Sequence, residues 1–155
     1  MKDRAITIGV ISDTHGLLRP EALRELEGSD FIIHAGDVGD PAILTELKRI
    51  APVTAVRGNI DTEAWAKKLP ETATLEVSGV TILTLHNVEH LRIHPHNAEI
   101  VIFGHSHKPH NEFHGDTLFF NPGSAGPRRF NLPVSVGRLT IKDGKPQSEI
   151  ILLKV

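Results

Sequence analysis

Ala5-Ile6-Thr7-Ile8-Gly9-Val10-Ile11-Ser12-Asp13-Thr14-His15 opens on a largely β-branched, apolar run and closes on four polar residues. A short apolar run that ends in turn-forming residues reads as a strand. The same pattern recurs twice. Phe31-Ile32-Ile33-His34 leads into Gly36-Asp37, and Val53-Thr54-Ala55-Val56-Arg57 leads into Gly58-Asn59. Between these runs, Pro20 opens a helix with Leu23 and Leu26 on one face, and Pro41 opens a second carrying Ile43, Leu44, Leu47 and Ile50. Three strand-loop-helix units in series predict parallel strands joined by crossovers, and ligands in such sheets gather at the carboxyl ends of the strands. Each unit delivers its polar residues to that edge.

After about Leu69 the rhythm changes to strands in series. Thr74 to Val77 and Val80 to Leu85 flank Ser78-Gly79, a two-residue hairpin connection, and His86 closes the second strand. The histidine-containing stretch Asn87 to Asn97 has no clear period. Glu99 to Phe103 then forms a strand feeding Gly104-His105-Ser106-His107. Thr117 to Phe120, Val134 to Ile141 and Glu149 to Leu153 read as an antiparallel meander. The expected architecture is α/β: a mixed sheet, or a pair of sheets, flanked by helices in one domain spanning residues 1–155.

Composition removes several function classes. The chain has 155 residues, 39% hydrophobic, enough for one sizeable core. It carries no apolar run approaching the roughly 18 residues of a membrane span, and residues before Ala5 show no leader pattern, so a cytoplasmic home without membrane association is expected. With no cysteine there is neither a disulfide framework nor a thiolate metal site. A formal charge of −2 and 5% aromatic residues give no footprint for strong nucleic-acid binding. A small anionic substrate fits.

Five short pieces lie at ends of the apolar runs: Asp13-Thr14-His15-Gly16, Gly36-Asp37, Gly58-Asn59, His86 and Gly104-His105-Ser106-His107. Together they offer two carboxylates, one amide and four imidazoles. That oxygen and nitrogen set suits borderline-hard divalent ions such as manganese, iron, zinc or nickel. Asp40 and Asp61, each just before a helical segment, read as helix caps. His90, His94, His96, His110 and His114 read as surface or loop histidines, Gly123 and Gly126 as turn residues, and Trp65 as a partly buried helix residue.

In this order the pieces resemble the calcineurin-like metallophosphoesterases. Gly58-Asn59-Ile60-Asp61, Asn121-Pro122-Gly123-Ser124 and the short length resemble the small bacterial and archaeal phosphodiesterase branch. The resemblance runs from Ile6 to about Arg128. It implies a four-layer αββα sandwich, two mixed sheets face to face with helices outside. It also implies two divalent metal ions, manganese foremost. Asp13, His15, Asp37 and His107 would hold the first, and Asp37, Asn59, His86 and His105 the second. A carboxylate has two oxygens, so Asp37 can sit between ions roughly 3.5–4 Å apart.

The expected reaction is in-line attack of a metal-bridging hydroxide on a small phosphodiester or nucleotide, with Asp37, Asn59 and His105 as catalytic residues. His34, His90, Asn121 and Arg128 are expected to steady the ligands or meet the substrate, with Ser124 in support. Two positions depart from the pattern. Ile60 stands where many larger relatives carry a histidine after Gly-Asn, and Asn87 stands where glycine usually follows the metal-binding histidine. The alternatives are a phosphomonoesterase or nuclease on the same ions, or a noncatalytic scaffold like the retromer subunit of this fold, whose site is degraded. Association into a homo-oligomer is also open.

Overall fold

A computed structural model describes residues 4–93 and 97–155. His94 and His96 lie outside the described residues. Ten strands form two mixed five-stranded sheets among the described residues. In the first, β1 (Ile6–Ile11), β2 (Phe31–His34) and β3 (Val53–Ala55) run parallel, while β9 (Ser135–Lys142) pairs antiparallel with β1 and with β10 (Lys145–Leu152). In the second, β5 (Val80–Leu85), β6 (Ile100–Ile102) and β8 (Thr117–Asn121) run parallel. There β4 (Thr72–Val77) and β7 (His110–His114) are antiparallel edge strands.

The alternation along β1 divides the molecule into layers. Ile8 and Val10 enter the core between the sheets, where they join Ile33, Leu139, Ile82, Ile100, Ile102 and Phe120. Ile11 faces the other way, into a core with Ala22, Leu26, Leu44 and Leu47 of the helices α1 (Pro20–Leu26) and α2 (Pro41–Lys48). Gly9 is on the helix side, where a Cβ would stand 2.6 Å from Leu26 Cδ2, so glycine here lets α1 lie close to the sheet. On the far face of the second sheet, Leu83, Leu85, Val101 and Phe103 are covered by Val88 and Leu91 of the 3₁₀ segment Val88–Ile93. That outer layer is therefore a 3₁₀ turn rather than an α-helix.

The local readings hold where short-range chemistry sets them. Asp40 caps α2 by accepting from the Ala42 N–H at 2.9 Å, with Pro41 as the first helical residue. Ser78 and Gly79 both have positive φ, as a two-residue hairpin turn closing on Val77 and Val80 requires. Trp65 is half-buried on a 3₁₀ turn, Ala64–Lys68, so the third unit ends without an α-helix.

The long-range readings change. The tail is not one meander, because β8 pairs with β6 in the second sheet and β9 and β10 belong to the first. His110 and His114, read as surface or loop residues, lie at the surface on an edge strand, His110 half-buried and His114 exposed. No helix of the described residues is long and apolar enough to cross a membrane.

Candidate metal centre

All seven candidate donors stand in the loops that follow strand ends on one edge of the sandwich. Asp13 and His15 follow β1, Asp37 follows β2, Asn59 follows β3, His86 follows β5, and His105 and His107 follow β6. Backbone bonds carry the strand pairing into these loops: Asp13 N–H to Gly36 O, His15 N–H to Asp37 O, and Gly104 N–H to His86 O, each 2.9–3.0 Å.

The loops fold back sharply. Asp13, His15, Asp37, His105 and His107 all have φ between 46° and 72°, a region that non-glycine residues seldom occupy. Such strain collects where the surrounding structure over-determines a functional position.

Two clusters result. In the first, His107 Nε2 lies 3.4 Å and His15 Nε2 3.8 Å from Asp13 Oδ1. In the second, His86 Nε2 lies 3.0 Å from Asn59 Oδ1, and His105 Nδ1 lies 3.2 Å from the same oxygen. Asp37 joins them, because its Oδ2 is 3.5 Å from His15 Nε2 and 3.2 Å from His86 Nε2. Its other oxygen is occupied, accepting from the Ile60 N–H at 3.0 Å.

Asp13 is divided in the same way. Its Oδ2 accepts from the Ser12 hydroxyl and the His105 N–H, while Oδ1 is buried without a partner. His15 Nε2 and His107 Nδ1 are likewise buried and unpartnered. Orphaned buried acceptors facing imidazole nitrogens cost free energy unless a cation joins them, and the donor set fits divalent metal ions.

Glycines make the close approach possible. A Cβ at Gly58 would overlap the Asp37 carboxylate and backbone nitrogen, and one at Gly104 would overlap the Ser12 hydroxyl and Asp13 Oδ2.

The electrostatics follow from burial. Burial pushes the Asp37 carboxyl up, but hydrogen bonds from His86 and Ile60 and the charges of His86 and His15 outweigh it and hold the group below its ordinary value. Burial pushes His86 down, yet Asp37, Asp13 and the Ala35 carbonyl together raise it. His86 Nδ1 meets that carbonyl at 2.8 Å. In the charged ring Nε2–H donates to Asp37; in the neutral ring the Ala35 carbonyl keeps the proton on Nδ1 and leaves the Nε2 lone pair for a metal ion. His107 is lowered, first by burial, with Arg129 and His15 adding to the effect against Asp13.

The residues expected in support take different places around the centre. His34 is fully buried and is lowered to about 4 by desolvation. Its Nδ1 accepts from the Gly36 N–H at 3.1 Å, so Nε2 carries the proton and donates to Thr14 Oγ1 at 3.0 Å. Thr14 in turn donates to Val38 O. His34 therefore locks the first two loops together rather than touching a donor atom. Asn121 donates to Gly104 O and Ser106 Oγ and accepts from Gly123 N–H, and Ser124 donates to Asp13 O.

Arg128 does not reach the centre. Its guanidinium donates to Leu132 O and Val155 O, and it is the charge of its neighbour Arg129 that His107 feels. Asp61 is no helix cap: it is buried and accepts from the Val38, Gly39 and Gly58 N–H groups, tying the second and third loops together. Sequence reasoning missed Ser12 and Arg129, and it misread Asp61. Asn87, at the position where relatives usually carry glycine, does not adopt a positive φ. Asn87 instead receives the Glu89 N–H on its side chain and the His90 N–H on its carbonyl, starting the 3₁₀ segment.

Beside the second cluster opens a cleft of about 460 Å³, lined by Asn59, His86 and His105 together with Arg57, Glu71, Leu85 and His90. Arg57 pairs with Glu71 at 3.3 Å across part of its wall.

The profile of the calcineurin-like phosphoesterase superfamily domain matches residues 6–144. The chain belongs to that superfamily. This calcineurin-like phosphoesterase is 35% identical to a protein of Methanothermobacter thermautotrophicus named "Probable metallophosphoesterase", over 93% of this chain and 91% of the relative. It is 30% identical to the phosphodiesterase YfcE of Escherichia coli, over 83% and 84% of the two chains. Among solved structures it superposes on vacuolar protein sorting 29 of Cryptosporidium parvum with a TM-score of 0.77, covering 99% of this chain and 100% of that one. Identity there is 19%, so that likeness concerns the fold.

Proposed function

We propose that this calcineurin-like phosphoesterase is a cytoplasmic phosphodiesterase working with two divalent ions, manganese foremost, on a small ester that carries an organic leaving group. The observation that carries the reading is Asp37 Oδ2, placed 3.5 Å from His15 Nε2 on one side and 3.2 Å from His86 Nε2 on the other. Asp13, His15, Asp37 and His107 would hold one ion, and Asp37, Asn59, His86 and His105 the other. When bound, such ions acidify a coordinated water and draw charge from a phosphate.

The chain's own residues do the positioning. Ser12 and the His105 N–H hold Asp13 Oδ2, the Ile60 N–H holds Asp37 Oδ1, and the Ala35 carbonyl orients His86. Each leaves one donor atom aimed inward. Two carboxylates against two divalent ions leave a surplus of positive charge, which favours a phosphodiester anion. The cleft next to Asn59, His86 and His105 offers room for the substrate beyond its phosphate. At Ile60, 40% exposed, no side-chain acid stands ready for the leaving oxygen. Aryl esters, whose leaving groups need no proton, are therefore expected to be cleaved faster than alkyl esters. A noncatalytic scaffold role like that of the retromer subunit is disfavoured, because all seven candidate donor positions are filled and Asp13, His15 and His107 each keep a buried polar atom without a hydrogen-bond partner.

The test uses chelator-stripped protein, assayed on bis-p-nitrophenyl phosphate and p-nitrophenyl phosphate before and after Mn²⁺. Metal-restored cleavage that prefers the diester and disappears in Asp37→Ala supports the proposal. Preference for the monoester would move the reading to a phosphomonoesterase, and no turnover with Mn²⁺, Ni²⁺, Zn²⁺ or Fe²⁺ by folded protein would overturn it.

A further inference from the structure

Strand β7 carries His110, Glu112 and His114 at alternate positions, which places all three on one face of an edge strand. The opposite face is anchored elsewhere. Asn111 exchanges hydrogen bonds with Ser148 of β10, donating from Nδ2 to its carbonyl and accepting its hydroxyl at 2.7 Å, so the direction of the histidine face is fixed. Along an extended strand the Cα atoms of residues four apart are separated by about 13 Å. The rings of His110 and His114 nevertheless lie 5.8 Å apart, centroid to centroid, with planes inclined by only 11°. They lean toward each other over Glu112, whose Oε2 is 3.6 Å from His110 Nε2.

Two phenylalanines hold the rings in this posture. Phe103 meets His110 at 5.8 Å, and Phe119 meets His114 edge-on at 5.1 Å. Phe119 is the β8 partner of Glu112, so it stands on the same sheet face. One ligand atom from each of His110, Glu112 and His114 lies within 4.8 Å of the others.

We propose that this face of β7 is a third metal site, separate from the paired centre, taking one borderline divalent ion of the zinc, nickel or copper kind. Two imidazole nitrogens and one carboxylate oxygen form the donor set of many open zinc sites, with the remaining positions left to water. Nitrogen-rich donors favour copper, nickel and zinc over manganese, so Mn²⁺ at levels that fill the catalytic pair leaves this site empty. A bound ion would tie the two ends of β7 together across Glu112. That stiffens an edge strand whose outer backbone groups are otherwise open to pairing with another chain.

The test compares zinc content and zinc titration of the full chain with those of His110→Gln/His114→Gln and of Asp13→Asn/Asp37→Asn. The first variant is expected to hold one ion fewer than the unaltered chain while its Mn²⁺-dependent phosphodiesterase activity is unchanged. The second is expected to keep the β7 ion. Glu112→Gln, a substitution at an exposed carboxylate, is expected to weaken that ion by roughly tenfold without disturbing the fold. Equal ion counts and affinities in the unaltered chain and the double-histidine variant would overturn the proposal. Absence of Mn²⁺-dependent turnover in the unaltered chain, with the β7 ion bound, would count against the phosphodiesterase reading and not against this site.

Discussion

Asp61 accepts three backbone N–H groups, two from the loop after β2 and one from the loop after β3. It thereby sets the spacing of Asp37 and Asn59 without touching either side chain. Asp61→Asn would turn an amide donor toward at least one of those N–H groups. The expected cost is about 1–3 kcal/mol of stability and a roughly 10–100-fold loss in metal affinity, as for other groups that orient ligands. Chemical denaturation and metal titration of the variant check both. Gly58→Ala acts more directly, since its Cβ collides with the Asp37 carboxylate and backbone. We expect it to lose Mn²⁺-dependent turnover, read by the diester assay, while circular dichroism stays near that of the unaltered chain. The donors were legible in the sequence because each is a polar residue just beyond an apolar run. Asp61 was not, since its three partners include two residues more than twenty positions away.

At the scale of the element, β2 ends in a buried neutral histidine that bonds to the loops after β1 and β2. His34 titrates at about 4 when folded, against an ordinary 6.5. Between those values the unfolded chain binds a proton that the folded chain does not, so stability rises with pH across this window. The contribution is complete above about pH 6.5, falls as the pH drops, and is fully lost near pH 4. At its limit the shift is worth about 3 kcal/mol. In metal-free protein, His34→Asn is expected to flatten this part of the stability profile, as measured by urea denaturation from pH 4 to 7. An unchanged slope would mean that other groups carry it.

The strands themselves were mostly legible from their apolar runs, but their partners were not. Nothing local separates β8 from β9, yet one is central to the second sheet and the other pairs with β1 of the first. Strand β7 escaped notice because its residues are polar on both faces apart from Phe113, and hydrophobic alternation is the signal that marks a strand.

Across the whole molecule, the two sheets meet so that their parallel strands end on one edge, and the candidate metal centre spans the seam. β1, β2 and β3 supply one set of loops, and β5 and β6 the other. Ions held there bind the folded chain and not the unfolded one, so they link the halves of the sandwich. At ion concentrations about 100-fold above the dissociation constant, one site contributes about 2.7 kcal/mol. For a chain of this size, chelation is therefore expected to lower the melting temperature by about 5–10 °C. Scanning calorimetry with and without chelator checks this, and Asp37→Ala should be insensitive to the ions of the paired centre. A chelator effect equal in both proteins would place the stabilising ion elsewhere.

The amino-acid sequence by itself determined the candidate donor residues, the order of their pieces and their position after strand ends, because these depend on residue type and on apolar runs only a few residues long. It also determined the Asp40 cap and the Ser78-Gly79 turn, whose bonds close within four residues. Tertiary structure alone decided which sheet each late strand joined, which face of Asp13 and Asp37 was left free, that Arg128 turns away while the charge of Arg129 is felt, and that His110, Glu112 and His114 converge. Those outcomes rest on contacts between residues far apart in the chain, where burial and hydrogen-bond satisfaction choose among arrangements that local propensity leaves nearly equal.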